Sequence, residues 1–439
     1  MSIPSYEQII TLAPDESSAK SGRELANRSK WKTLGYNEFA AWGECQGGGS
    51  TPYQTCISIL ENTFKCTCPS RKFPCKHGLG LYLLLSKEQG AFTQKEPPPW
   101  VADWLAHQIA KTAKKTKKKD TEAKPVDPVA QAKRLAERHA KVKAGTEDLD
   151  RFLQDLIRHG LASVQSETYG FWEAQAKRLV DSQAPGLARM LRDCAGTAST
   201  GENWQDRLLR QIGQIYLLLQ AYERFQLLPA ELQADVRTAL GFTTDQDEVL
   251  ASNAVADTWH VVAQRVEQEE RLRMQRTWLI GKNSSKRALI LSFAHGTSPL
   301  DTSLLAGSTV QAELSFYPSA YPMRAVLKNK SSEQLEKCHL SGHATLHSAL
   351  ESYSDALAVS PWIEKFPLSV ADVVPESVAS GKWAIRDKES RLAPLIVSSM
   401  AGWQILAASG GKPISMFGEF DGEKLMPMSI MVDEKFYRI

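Results

Sequence analysis

Twelve residues constrain this chain more than any other stretch: Cys66-Thr-Cys68-Pro-Ser-Arg-Lys-Phe-Pro-Cys75-Lys-His77. Three of the seven cysteines and one of the nine histidines fall here, spaced C-x-C, six residues, C-x-H. Four soft or borderline donors close a tetrahedron around Zn²⁺, with bonds of about 2.3 Å to sulfur and about 2.0 Å to nitrogen. A set closed by protein leaves no position for water. Cys66, Cys68, Cys75 and His77 therefore read as a structural zinc site and not as a catalytic one. Co²⁺ or Fe²⁺ would enter the same ligands, and availability favours zinc. The competing readings are reduced cysteines beside a stray histidine, or a disulfide, which C-x-C spacing strains.

The flanks fit a small clasp around the metal. Tyr53 to Leu60 alternates in the manner of a strand, and Thr63 to Cys66 reads as a short returning strand. A helix is predicted to start at Pro74 and run to Lys87, which puts Cys75 where free N–H groups favour a thiolate. Leu79, Leu81, Tyr82, Leu83, Leu84 and Leu85 make that helix apolar on nearly every side. Such a helix is normally buried, so the clasp is expected inside a larger domain, against the segments 31–42 and 100–109. Strand, strand, C-x-C, C-x-H, helix resembles the SWIM zinc finger. The resemblance implies zinc on Cys66, Cys68, Cys75 and His77, in a module that binds DNA or protein. In length and layout the chain is similar to long bacterial proteins with a SWIM finger near the N-terminus, a likeness that carries no catalytic residue.

With 439 residues, 42% apolar and 23% charged, the composition is that of a globular protein of several domains. Cys45, Cys56, Cys194 and Cys338 are scattered and form no disulfide framework, which suits a reducing compartment. No signal peptide is seen at Met1 to Ile10, and the longest apolar run, Leu79 to Leu85, is too short to span a membrane. A cytoplasmic protein is expected. The net charge is only +3, and residues 20–127 hold the positive excess. Such a footprint suits a phosphate backbone or an acidic protein surface.

The predicted architecture is α+β and multidomain: a treble-like ββα finger embedded in an α+β domain at 1–110, a Lys-rich linker at 111–127, a helical domain at 128–272 and a β-rich α+β domain at 273–439. Six lysines in the nine residues 111–119 read as a disordered spacer or a nonspecific tether to nucleic acid. Helices are expected at 129–143, 147–159, 169–182, 186–194, 203–226, 230–240 and 254–272. The last domain carries strand patterns, including 403–408, around a helix at 346–359, and would form a β-rich fold or small barrel.

Catalytic signatures are absent from the sequence: no Walker motif, no G-x-S-x-G elbow and no H-E-x-x-H occurs. His339, His343 and His347 would share one face of a helix, but Ser341-Gly342 interrupts it, and surface histidines explain them as well. Glu419 and Asp421 could be paired carboxylates, or simply a turn. The expectation is a non-catalytic zinc protein, with no small-molecule cofactor beyond the metal, that binds nucleic acid, DNA foremost. Lys65, Arg71, Lys72 and Lys76 would contact phosphates, with Phe64 or Phe73 available to stack. The alternatives are an adaptor whose zinc is purely structural, for example in an ATPase-containing assembly, and an enzyme with its site in the last domain.

Overall fold

The computed structural model describes residues 3–47, 51–59, 62–70, 72–117, 128–198, 200–201, 203–269, 272–295, 298, 300–331, 337–378 and 381–439. Two short helices open the chain, α1 (Tyr6–Ile10) and α2 (Glu16–Leu25). Ser5 and Gln8 form a capping box on the first. The Asp15 carboxylate caps the second by accepting from Ser18 N at 2.7 Å. Strands β1 (Trp31–Tyr36), β2 (Ala40–Cys45), β3 (Tyr53–Ser58) and β4 (Thr63–Cys66) follow, then α3 (Lys76–Lys87), β5 (Thr93–Gln94) and α4 (Pro99–Lys117). The sheet runs β4-β3-β2-β1-β5. Period-two alternation sorts its faces: Ala41 and Ile57 join the core around α3, whereas Trp42 and Cys56 pack with Val101 and Trp104 of α4.

The finger helix is thus buried as its composition demands, with Leu79 and Leu81 through Leu85 all at 0% exposure. The predicted packing partners hold, but 31–42 lies partly and α4 wholly on the other face of the sheet from α3. Helix α4 also runs through Lys117, so the backbone of the first lysines of the run is helical and not a spacer. Positions 118–127 of the predicted linker lie outside the described residues.

The helical part comprises α5 (Pro128–His159), α6 (Tyr169–Asp181), α7 (Pro185–Thr197), α8 (Trp204–Glu223), α9 (Ala230–Leu240) and α10 (Gln246–Ala251). Leu149, Leu153, Trp172, Leu187, Leu208, Ile215 and Leu240 meet in one core. The break expected near Gly145 is absent, and α5 is one helix. Gly145 serves packing instead, because a Cβ there would stand 2.5 Å from Ser182 Cβ. The approach of α7 to α9 is closer still: a Cβ on Gly186 would lie 1.9 Å from the Ala239 carbonyl oxygen. Gly186→Ala is therefore expected to cost about 1–3 kcal/mol through overpacking. Urea denaturation followed by helical circular dichroism checks this, and an unchanged midpoint would contradict it.

The last part holds β6 (Ala254–Glu269), β7 (Leu272–Gly281), β8 (Arg287–His295), β9 (Thr309–Phe316), β10 (Arg324–Lys330), α11 (Leu346–Val359), β11 (Phe366–Val378), β12 (Lys382–Arg386), β13 (Leu392–Pro394), α12 (Ser399–Ser409), β14 (Ile414–Phe420), β15 (Leu425–Val432) and β16 (Lys435–Arg438). Two predictions fail here. The segment 254–272, expected to be a helix, supplies β6, which pairs with both β7 and β9, so the β-rich part begins at Ala254. The segment 403–408, expected to be a strand, lies in α12 between the Ser398 cap and the left-handed Gly410. Strands β6 to β10 close a barrel in the order β10-β8-β7-β6-β9, with β8 and β10 parallel, which is the connectivity of an OB barrel.

Barrels of this type use the face of their second and third strands for oligonucleotides. Here Trp278 of β7 and Leu289 of β8 on that face are buried against Phe417, Met428 and Met431 of the second sheet, β13-β12-β11-β14-β15-β16. Arg276 and Trp278 Nε1 both donate to Glu419 Oε1 at 2.7 Å, pinning the two layers together. No helix among the described residues is long and apolar enough to cross a membrane.

Candidate metal centre

The zinc ligands are assembled by the β3–β4 hairpin and the start of α3. Cys66 ends β4 opposite Thr55, and the Thr55 hydroxyl lies 3.2 Å from its sulfur. Thr67 is stitched to β3 from both sides, since its N–H donates to Gln54 O and its hydroxyl accepts from Gln54 N, each at 3.0 Å. That fixes the C-x-C turn and presents Cys68. Cys75 is the N-cap of α3, and its sulfur accepts from Gly78 N at 3.5 Å. Pro74 accordingly precedes the cap and is not itself in the helix. His77 follows two residues into the buried side of α3, its ring 4.9 Å from that of Tyr53.

The four donor atoms lie within 4.8 Å of one another, and Cys66 Sγ is 3.8 Å from His77 Nδ1. A zinc tetrahedron with the usual bond lengths has sulfur–nitrogen edges of about 3.5 Å and sulfur–sulfur edges of about 3.8 Å. The cluster fits a closed Cys₃His zinc site, with Cys66, Cys68, Cys75 and His77 as its ligands.

Without a cation the three thiols share their protons unequally. A hydrogen bond from Cys75, then those from His77 and Thr55, pull Cys66 down to about 4 against its burial. The same bond, followed by burial, pushes Cys75 well above the usual thiol range. The helix-start N–H of Gly78 acts on Cys75 in the expected sense but is outweighed. Burial also raises Cys68. One negative charge is readily held, and a divalent cation is what allows three.

Lys65 and Lys76 stand exposed beside the ligands. Lys72 is exposed too, but its ammonium pairs with Asp15 at 2.8 Å, which ties the zinc loop to the cap of α2. The hydrogen bond from Lys72, and then those from Ser18, lower Asp15 to about 2. Burial drives the thiols of Cys45 and Cys56 up, Cys56 to about 12, while Lys76 and Lys30 pull Cys45 back and Lys65 pulls Cys56 back. The cations gathered at the zinc end are thus Lys30, Lys65, Lys72 and Lys76, of which Lys72 is paired with Asp15. Beside them a groove of ≈ 620 Å³ opens between α2 and the zinc loop, lined by Ser17, Ser21, Ser70, Lys72, Lys76 and His77 among others.

Several predicted site residues are placed differently. Phe64 is buried against Tyr82 and Phe73 and cannot stack on a base. Phe73 is half-buried in the same edge-to-face contact. Arg71 lies outside the described residues. The three histidines do not share a helical face: His343 bridges to Val370 in the sheet, and only His347 is on α11, paired with Glu351 at 3.3 Å. Asp421 is a turn residue accepting from Glu423 N and Lys424 N, whereas Glu419 is a buried strand residue bound to Arg276. Thr55, Gln54 and Thr67 were not singled out. The pairing of Thr55 with Cys66 depends on the hairpin register, which the sequence spacing alone does not specify.

A ββα clasp closed on four protein ligands defines a zinc-finger protein. Residues 58–86 match the SWIM zinc finger, and residues 137–240 match the SWIM-associated four-helix bundle domain, which covers most of α5 and all of α6 to α9. The chain thus carries a SWIM zinc finger and the four-helix bundle domain associated with it. Neither a curated protein nor a solved structure matches it.

Proposed function

We propose that this is a non-catalytic nucleic-acid-binding protein, DNA being the first candidate, which grips phosphates at the zinc end. The observation that carries this reading is the cluster of exposed Lys65, Lys72 and Lys76 around the metal ligands, beside an open serine-lined groove. Burial of Trp278 and Leu289 on the barrel face against the second sheet supports placing the contact at the zinc end. Three phosphate contacts correspond to a log–log salt slope near −2.7, so affinity should fall about 40-fold between about 50 and about 200 mM salt. Labelled single- and double-stranded DNA and RNA titrated at both concentrations test this. Lys65→Glu with Lys76→Glu should abolish most binding and flatten the slope. Undiminished binding by that double variant, or no binding at low salt, would overturn the reading. Lys72 is a poorer probe because its loss also frees Asp15.

A second reading, an adaptor for a protein partner, draws on Leu392, Ile396, Met400 and Trp403, which are exposed on β13, α12 and the segment between them. A partner that survives high salt and nuclease treatment and is lost in Trp403→Ala would favour it.

A further inference from the structure

Three parts of the chain meet around a cavity of ≈ 600 Å³: helices α7, α8 and α9, the β9–β10 connection of the barrel, and α11 with the segment after it. Polar contacts hold these walls against one another. Arg189 of α7 grips Glu364 through two bonds at 2.8 and 2.6 Å, and Trp362 Nε1 donates to Gln214 O of α8 at 3.4 Å. Ala320 N donates to the Asp235 carboxylate of α9 at 3.2 Å, and Arg210 of α8 pairs with Glu423 in the β14–β15 turn. The cavity shares no lining residue with the groove at the zinc end.

The lining limits what can enter. Phe242, Tyr317, Tyr321, Tyr353 and Trp362 all line the cavity and are only half-buried, so each keeps ring surface for a flat aromatic guest. Charge is largely cancelled, because Arg189 and Arg210 are already paired. Arg324, over the Tyr317 ring at 4.2 Å, is the lining arginine without a carboxylate partner among the described residues. A polyphosphate would leave most of its charge unmatched here, whereas a neutral ligand or a single phosphate would not.

One polar group on the wall lacks a partner. Gln211 Oε1 of α8 is buried and bonded to nothing, which is uncommon for a buried amide. A primary amide sets a carbonyl oxygen beside an NH₂ group. Its complement on a flat ring is an amino group beside a ring nitrogen, the edge that adenine offers. Asp193, exposed at the rim, adds a carboxylate suited to a sugar hydroxyl.

We propose that this cavity binds an adenine nucleoside or its monophosphate, with the base among the aromatic side chains and its amino edge on Gln211. Parts of the bundle, barrel and last sheet all line the site, so the bound ligand stabilises their seam. This does not depend on what the zinc end binds.

Calorimetric titration of the full chain with adenosine and adenosine monophosphate tests it, with purine riboside, which lacks only the amino group, for comparison. Adenosine should bind with a Kd on the order of 10–100 µM and raise the melting temperature. Purine riboside should bind about 10-fold more weakly. A monophosphate that binds more tightly, and loses that gain in Arg324→Gln, identifies the nucleotide as the ligand; equal affinity identifies the nucleoside. Gln211→Leu should weaken adenosine about 10-fold and no longer distinguish it from purine riboside. That variant should fold as stably as wild type, since it removes a buried group that has no partner. Thr238→Trp, which fills the cavity from an exposed position, should abolish binding of both. Lys65→Glu with Lys76→Glu should leave it unchanged. No binding of either adenine ligand at about 5 mM would overturn the proposal. So would equal affinity of wild type for adenosine and purine riboside, full-strength binding by Gln211→Leu, or loss of adenosine binding in the lysine double variant.

Discussion

Cys68→Ser is expected to lose zinc and to unfold the finger hairpin while leaving the helical bundle intact. Metal binding in zinc-finger peptides is worth roughly 10–16 kcal/mol, comparable with the whole stability of a domain. Here the loss is shared with a core that does not need the metal. Leu79 through Leu85 pack on Ile9 of α1 and on Leu12 between α1 and α2, Tyr82 donates to Asn62 Oδ1 at 2.6 Å, and Leu305, just before β9, enters the same cluster. The zinc end lacks such support, because Cys66 ends a four-residue strand at the edge of the sheet and Cys68 lies beyond it. Amide protection over 53–58 and 63–77 should fall about 1,000-fold or more, near 4 kcal/mol, and that of Leu81 to Leu85 much less. Residues 137–240 should exchange as before. Hydrogen exchange read by mass spectrometry on the variant and on chelator-treated protein decides this. Unchanged protection of the hairpin would contradict it.

Glu419→Ala should be the most damaging change far from the metal. The Glu419 side chain is 1% exposed and Arg276 is 11% exposed, with 2.7 Å between them. Trp278 Nε1 shares the same carboxylate oxygen, and Lys365 stands 3.6 Å from the other. Removing the carboxylate strands a buried guanidinium and a buried indole donor at the seam between barrel and sheet. A cost of about 3–5 kcal/mol is expected, measured by urea denaturation of the full chain with tryptophan fluorescence. Arg276→Met combined with Glu419→Leu should recover most of it, since the penalty comes from the unpaired charge and not from the loss of attraction. A cost below about 1 kcal/mol for Glu419→Ala would show that water reaches the seam.

The ligand set was legible because metal chemistry fixes residue types at fixed spacing, and no tertiary context is needed to see it. The helices at 230–240 and 346–359 were legible for a similar reason, as local periodicity agrees with the final environment. Where context overrides local preference, the reading failed. Gln264-Arg265-Val266-Glu267-Gln268 carries good helix formers, yet pairing with Arg273–Thr277 of β7 and continuity with Trp259 and Val261, which are anchored in the barrel core, draw the segment into β6. Trp403 to Leu406 has the composition of a strand, but the Ser398 hydroxyl caps a helix by accepting from Ala401 N, and Gly402 passes within a Cβ clash of Trp383, so a helix lies there instead. Phe64 neighbours the ligands in sequence and so reads as a stacking surface. Its side chain lies across Gly78, inside. The basic contacts could be named from the sequence, but not that Lys72 is held by Asp15, fifty-seven residues away in the chain.

X-ray absorption at the zinc edge of the purified full chain tests the central claim most directly. The account predicts a first shell of three sulfurs at about 2.3 Å and one nitrogen at about 2.0 Å, with no oxygen. A shell with two sulfurs, or one containing water oxygen, would contradict the closed Cys66, Cys68, Cys75 and His77 site and reopen the question of a catalytic metal.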